Sequence, residues 1–255
     1  MSIIDRFRLD GCTALVTGAR RGIGKGIAVA LADAGADIIG VSATLEEGSD
    51  VQREVEALGR SFKAYRCDFS QRQQTHALVE TLRNEVPAID ILFSNAGLIS
   101  RAPALEHADD VWDRVMEVNL SSHFVLAREL AKGMVERGWG KIVFTASMMS
   151  FHGGVLIPSY TASKGAIAQL TKALANEWAP KGVHVNAIAP GYIATDLNPG
   201  LRADPEANKF IVGRISAGHW GTPEDLQGAA VFLASHASDY VDGVVFPVDG
   251  GWLAR

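Results

Sequence analysis

The sequence predicts an α/β protein: one doubly wound domain, with a seven-stranded parallel sheet and helices on both faces. Three observations predict it. Short apolar, β-rich runs alternate with amphipathic stretches from one end of the chain to the other. Several of these runs are almost continuously apolar, as strands buried on both faces must be. A glycine cluster closes the first run and opens the first amphipathic stretch, at the place where such a fold turns from strand to helix.

Strands are expected at 12–18, 37–42, 61–67, 90–95, 140–147, 182–190 and 243–249. Helices are expected at 22–34, 46–58, 71–86, 109–137, 158–179 and 223–235. Regular alternation of this kind gives parallel strands joined by right-handed crossovers. No linker, charge run or repeat divides residues 1–255, so one domain spans the chain. Residues 196–222 break the rhythm: the stretch is polar, carries Pro199 and Pro205, and is expected to hold one helix. It follows the sixth strand at the carboxyl edge, where open α/β sheets bind ligands, and so reads as a substrate lid.

Composition narrows the function. With 255 residues, 47% hydrophobic and 21% charged, the chain can bury a sizeable core and is neither disordered nor fibrous. A net charge of −5 argues against a nucleic-acid partner, which asks for a basic stripe. No run approaches the ~18 apolar residues of a membrane span. The opening MSIIDRFRLDG lacks an apolar segment, so no signal peptide is expected. Cys12 and Cys67 make no disulfide framework, and neither CxxC nor HExxH spacing occurs, so no metal site is expected. The expected compartment is the reducing cytoplasm.

Two motifs carry chemistry. The first is TGARRGIG, holding Gly18, Arg21, Gly22, Ile23 and Gly24 between the first strand and first helix. Glycines there let backbone N–H groups and the helix N-terminus approach a pyrophosphate. The second is the pair Tyr160 and Lys164, four residues apart on one face of a helix. An ammonium there stabilises a phenolate and is expected to bring the tyrosine pKa down towards working pH. Ser147 ends the fifth strand, at the ligand edge, where its hydroxyl can meet a substrate oxygen.

With these residues in view, the chain resembles the short-chain dehydrogenase/reductase family over its whole length. The matching segments are TGARRGIG, CDFS with Asp68 and Phe69, SNAG with Asn95, Ala96 and Gly97, VNL with Asn119, Ser147, YTASK and PGYIAT. The resemblance implies a Rossmann-type fold and a nicotinamide cofactor. It implies Tyr160 as proton donor and acceptor, Ser147 positioning the reacting oxygen, and Lys164 holding the nicotinamide ribose. Asn119 would anchor a water leading from Lys164 to solvent. Asp68 and Phe69 would meet the adenine, Asn95–Gly97 would run beneath the adenosine, and Pro190, Ile193 and Thr195 would hold the carboxamide. A homotetramer, with the 109–137 and 158–179 helices at subunit contacts, is also implied.

The cofactor signals oppose one another. Ser42, at the end of the second strand, is neither the acid of NAD users nor the arginine of NADP users, whereas Arg21 is similar to a basic residue of many NADP users. NAD(H) is expected to be preferred, with NADP(H) tolerated. NAGLISR, ASMMSFHGG, LRAD and DGGWLAR are further similar to the 2-deoxy-D-gluconate 3-dehydrogenase and 2-dehydro-3-deoxy-D-gluconate 5-dehydrogenase branch. That branch implies a small hydroxylated keto acid, with Arg101, His152 and Arg202 as candidate cation and hydrogen-bond donors and Arg101 as the carboxylate anchor. His219 stands where the branch is expected to carry arginine. The competing readings are a 3-oxoacyl carrier-protein reductase, which asks for a basic docking surface, and a non-catalytic cofactor-sensing protein, which commonly loses a catalytic residue.

Overall fold

The computed structural model describes residues 2–196 and 198–255. Its centre is a seven-stranded sheet in the order β3-β2-β1-β4-β5-β6-β7. The strands are β1 Thr13–Thr17, β2 Asp37–Ser42, β3 Phe62–Arg66, β4 Ile91–Ser94, β5 Gly140–Thr145, β6 Val183–Pro190 and β7 Val245–Val248. All pairings are parallel. The order runs outward in both directions from β1, so the first crossover reverses between β1 and β4. That reversal opens a crevice beyond the carboxyl ends of the strands.

The helices cover both faces: α1 Gly22–Asp33, α2 Asp50–Ala57, α3 Arg72–Glu85, α4 Asp109–Met116, α5 Ser122–Arg137, α6 Pro158–Trp178 and α9 Gln227–Ala234. One core, around Leu15, Leu92, Phe144 and Ile167, fills the layer on one side of the sheet, and a second, around Val16, Ile27, Phe93 and Leu233, fills the other. The central strands β4 and β5 are buried along their full length, and β1 at every residue but Thr13, since helices roof both faces. The edge strands β3 and β7 are not, and Pro247, which offers no ladder N–H, sits in such an edge. Cys12 and Cys67 are free, and burial pushes both thiols up to about 11.

Two expectations change. The helix expected over 109–137 is interrupted by a π-helical turn at Glu117–Ser121 between α4 and α5. The wider turn carries Asn119, and such bulges recur where a side chain must be re-aimed at a site. The stretch expected as one lid helix holds two, α7 Pro199–Ala203 and α8 Pro205–Arg214. Pro205 cannot continue α7, and Asp204 caps the new start by accepting N–H bonds from Glu206 (3.0 Å) and Ala207 (3.1 Å). Leu197, within that stretch, lies outside the described residues.

At the amino edge, away from the crevice, α5 ends at Gly138 and a short 3₁₀ turn ends at Gly182, whose φ is +79°. A Cβ on Gly182 would sit 2.0 Å from the Gly138 carbonyl oxygen. Gly182→Ala therefore meets both left-handed strain and a backbone clash. The expected cost exceeds ~1 kcal/mol, a fall in melting temperature of at least ~2–4 °C for a chain of this size, with the Michaelis constants unchanged. A melt indistinguishable from the parent's would contradict this account.

Candidate active site

The carboxyl ends of β1, β4 and β5 are joined by side chains. The Thr17 hydroxyl accepts the backbone N–H groups of Asn95 (2.9 Å) and Ala96 (2.9 Å). The Asn95 amide donates to the Thr17 carbonyl at 3.1 Å and its oxygen accepts from Thr145 at 3.1 Å. Asn95 thus ties the three strands together. Above it lies the glycine loop. A Cβ on Gly24 would come within 2.2 Å of the Gly18 carbonyl and 2.6 Å of the Asn95 amide nitrogen. Gly22 faces the side chain of Thr195, which forms the opposite wall. Helix α1 starts with no side-chain cap, so its first amides and positive dipole end face the crevice uncapped. The pair of features suits a pyrophosphate.

Beyond β5, Ser147 opens a 3₁₀ turn and its hydroxyl accepts from the Met149 N–H at 3.1 Å. Ser150, unmarked in the sequence reading, accepts from the Ser147 N–H (3.3 Å) and donates to the Lys164 carbonyl (2.7 Å). It locks the serine turn to α6. One turn along α6 from Tyr160, Lys164 is 3% exposed, with Nζ donating to the Thr145 carbonyl at 2.6 Å. Nζ lies 5.7 Å from the centre of the Tyr160 ring. Asn119 holds the β4 loop: its oxygen accepts from the Leu98 N–H (2.9 Å), and its amide donates to the Leu98 carbonyl (2.9 Å) and Ser163 (3.1 Å).

The protonation pattern differs from the one expected of the Tyr160–Lys164 pair. Burial pushes the Tyr160 phenol up, while the Ser147 hydroxyl and the charge of Arg101 pull it down. Burial lowers Lys164 to about 8, and its proton is engaged by the Thr145 carbonyl. Desolvation outweighs the attraction the spacing suggests, because each group loses water on the same buried face. His123, also unmarked in the sequence reading, is 1% exposed and lowered to about 3 by burial and by Lys164. It is a neutral imidazole whose Nε2–H donates to the Ala96 carbonyl at 2.7 Å, beneath the loop of Asn95–Gly97.

The outer site residues fall in several places. Ser42 donates to the Val41 carbonyl (2.7 Å) and accepts the Arg20 N–H (3.3 Å), and the Arg20 guanidinium reaches Thr44 at 3.1 Å. Arg21 instead turns to the lid side and pairs with Asp196 at 3.5 Å, both exposed. Asp68 accepts from the N–H (2.9 Å) and hydroxyl (2.8 Å) of Ser70, stiffening the turn before α3. Phe69 is 5% exposed and its ring belongs to the core, so its side chain packs below the crevice. Pro190 ends β6, and Ile193, 5% exposed, bridges to Gly221. Arg202 is spent on the Thr195 carbonyl at 3.0 Å. His152 accepts the Trp252 indole N–H at 3.2 Å. Tyr192, Trp220 and Trp252, none of them singled out as a site residue although PGYIAT and DGGWLAR hold the first and last, form a wall, with Tyr192 edge-on at 5.1 and 4.8 Å from the two indoles. The signal was one aromatic in each of PGY, HWG and GGW.

Two outcomes follow from this geometry. Gly24→Ala must push Gly18 and Asn95 apart, and dinucleotide affinity is expected to fall at least tenfold, about 1.4 kcal/mol, by fluorescence titration. Unchanged affinity would mean that the loop does not hold the phosphates. Lys164, at about 8 when folded, lies below its ordinary 10.5, so the unfolded chain binds more protons between those values. Its stability contribution is present above pH ~10.5 and is lost as pH falls through 8. Lys164→Met should therefore gain most over the parent at pH 7 in urea unfolding and lose that gain by pH 10.5. A pH-independent difference would contradict the assignment.

Comparison with known proteins places this geometry. Residues 18–253 match the family described as enoyl-(acyl carrier protein) reductase. A 2-dehydro-3-deoxy-D-gluconate 5-dehydrogenase of Pseudoalteromonas atlantica is 59% identical over 254 residues, which are 99% of this chain and 100% of that protein. A solved Agrobacterium tumefaciens structure with bound NADP is 47% identical with a TM-score of 0.92, covering 98% of this chain and 99% of its own. A Burkholderia cenocepacia gluconate 5-dehydrogenase in complex with NADP and tartrate is 40% identical with a TM-score of 0.93, covering 100% of both chains. With Ser147, Tyr160 and Lys164 converging on the crevice below an uncapped α1, the chain belongs to the short-chain dehydrogenase/reductase family.

Proposed function

We propose that the chain interconverts a hydroxyl and a carbonyl on a small sugar acid, of the type of 2-dehydro-3-deoxy-D-gluconate or 2-deoxy-D-gluconate. The observation that carries this reading is the convergence of Ser147, Tyr160 and Lys164 at one end of the crevice whose other end is the glycine loop. The relative at 59% identity, whose name states such a substrate, supports the sugar acid over a carrier-protein substrate. A nicotinamide cofactor, held by the glycine loop and the start of α1, would supply or accept the hydride. Tyr160 gives its phenolic proton to the substrate oxygen in reduction and takes it back in oxidation. Ser147 holds that oxygen by hydrogen bonding. Lys164 supplies positive charge beneath the phenol and donors to the ribose, and Asn119 keeps the β4 loop in register with α6. Arg101 is assigned to the reacting end, where its charge lowers the Tyr160 phenol against the effect of burial. The lid, α7 and α8, closes over the substrate.

The cofactor is a nicotinamide dinucleotide, and the expected preference for NAD(H) gains no support. Two relatives hold NADP. The end of β2 offers Arg20, Ser42 and Thr44 rather than an acid. Arg21, the basic residue marked in the sequence, is engaged by Asp196. We therefore assign the 2′-phosphate to Arg20. We also propose self-association through the face bearing Trp112 and Phe124, which are 39% and 37% exposed on α4 and α5. No helix among the described residues is long and apolar enough to cross a membrane; the cytoplasmic location is kept as a proposal from the sequence.

Tyr160→Phe is expected to lower kcat by roughly 100- to 10,000-fold while leaving cofactor affinity intact. A variant retaining half the parent activity would end this mechanism. For the cofactor, Arg20→Ala should cut kcat/KM with NADP at least tenfold, about 1.4 kcal/mol, and leave the value with NAD unchanged. If Arg21→Ala produces that selective loss instead, the assignment passes to Arg21.

A further inference from the structure

The cations flanking the crevice are not equally free. Arg21 is paired with Asp196, Arg202 with the Thr195 carbonyl, and Arg255 with the carbonyls of Gly213 (2.8 Å) and Arg214 (3.1 Å) at the end of α8. The side chains of Arg101 and Arg214 have no hydrogen-bond or ion-pair partner among the described residues. Arg214 is nonetheless placed. Its guanidinium carbon lies 4.3 Å above the centre of the Trp252 ring, a stacking that leaves every N–H donor available.

The support beneath it is rigid. Trp252 is 3% exposed, and its indole donates to His152 while Tyr192 packs against it at 4.8 Å. The tail around it is tied by Asp249, which accepts from the N–H groups of Gly251 (2.9 Å) and Leu253 (2.9 Å). The stretch after α8 is strapped to the same tail, with the Ala217 N–H donating to the Gly250 carbonyl (2.9 Å) and Ser216 to the Gly251 carbonyl (3.1 Å). Arg214 is thus held by its backbone from one side and its ring contact from the other. The guanidinium is pre-organised, so little side-chain entropy remains to be lost when an anion binds.

The two free guanidinia stand at different depths. The charge of Arg101 reaches the phenols of both Tyr160 and Tyr192, and that of Arg214 reaches Tyr192. Tyr192 packs against the Trp252 ring at 4.8 Å and Arg214 stacks on that same ring at 4.3 Å, so Arg214 stands one ring beyond Tyr192. In a six-carbon acid that reacts at a carbon remote from its carboxyl group, several bonds separate the reacting oxygen from the carboxylate. A cation one ring beyond Tyr192 suits such a carboxylate, and Arg214, stacked on Trp252, stands there.

We propose that Arg214, assisted by the Tyr192 hydroxyl, holds the substrate carboxylate, and that Arg101 serves the reacting end. The assignment rests on the sugar-acid reading. It moves acid recognition from the β4 loop to the lid helix and the tail that straps it. A guanidinium stacked on an indole presents its edge to the carboxylate in a two-pronged contact, which an ammonium cannot reproduce.

The test compares 2-dehydro-3-deoxy-D-gluconate with its uncharged methyl ester, using the full-length chain. Arg214→Gln should raise KM for the acid roughly 10- to 150-fold, with kcat within about threefold and the ester unaffected. Arg214→Lys should recover part of the loss on the acid only. Lys209→Gln, which removes an exposed charge from α8, should change neither substrate. Calorimetric titration of the same acid into enzyme loaded with reduced cofactor gives binding without turnover. Absence of turnover by the parent, with acid binding still lost in Arg214→Gln, would sink the proposed reaction and keep the carboxylate site. Equal losses on acid and ester, or no loss of acid binding, would overturn the site.

Discussion

The hydrogen bonds among Thr17, Asn95 and Thr145 join three strand ends at the crevice, and the glycine loop, the β4 loop and the turn of Ser147 are set by them. Thr17 is 1% exposed, so a donor or acceptor left unpaired there would cost about 1–3 kcal/mol. That penalty makes the junction stiff. Because the Asn95 amide occupies the space under the glycine loop, any side chain at Gly18 or Gly24 collides with it. The same asparagine fixes the start of the β4 loop, and Thr145 carries the constraint to Ser147 and, through its carbonyl, to Lys164. The glycine loop, the start of the β4 loop and the Ser147–Lys164 cluster share one frame. Positioning on this scale is what allows a proton and a hydride to move in concert, since displacements of about an ångström cost orders of magnitude in rate.

Inside that frame, desolvation sets the charges. Tyr160, Lys164 and His123 are all displaced towards their neutral forms, and burial is the largest cause in each. A site so arranged is responsive: small changes in nearby charge shift protonation more in a dry interior than they would in water. Arg101 and Ser147 already oppose the effect of burial on the phenol. His123 illustrates the other use of neutrality. As an uncharged donor it holds the Ala96 carbonyl without placing a second cation near Lys164.

The substrate end is built differently, from segments distant in sequence. Tyr192 follows β6, Trp220 follows the lid, and Trp252 lies in the tail, yet their rings meet edge to face. Such a wall gives shape without competing for a sugar's hydroxyl groups. It also makes the lid and the tail one mechanical unit, because Arg255 and Gly250 bind the end of α8 and the residues after it.

The strand–helix rhythm, the glycine loop and the Tyr160–Lys164 pair were legible because each is a local pattern. Periodicity reports which face is buried, and four-residue spacing on a helix puts two side chains side by side. Strand and helix positions agree with the structure to within a few residues for the same reason, apart from α2 and α9, which each begin four residues later than expected, α9 behind a 3₁₀ turn at Pro223–Leu226. What the sequence did not reveal was decided by contacts between distant segments. The π-turn that aims Asn119, the break at Pro205, and the partners of Arg20, Arg21 and Arg202 depend on what lies across the crevice. The sign of the Tyr160 shift belongs there too, because burial is a property of the assembled fold and is invisible in spacing. The sequence by itself determined the fold class and marked the residues proposed to do the chemistry. The tertiary structure alone decided which charges are desolvated and which arginines remain free, because both are settled by neighbours that the chain brings together only on folding.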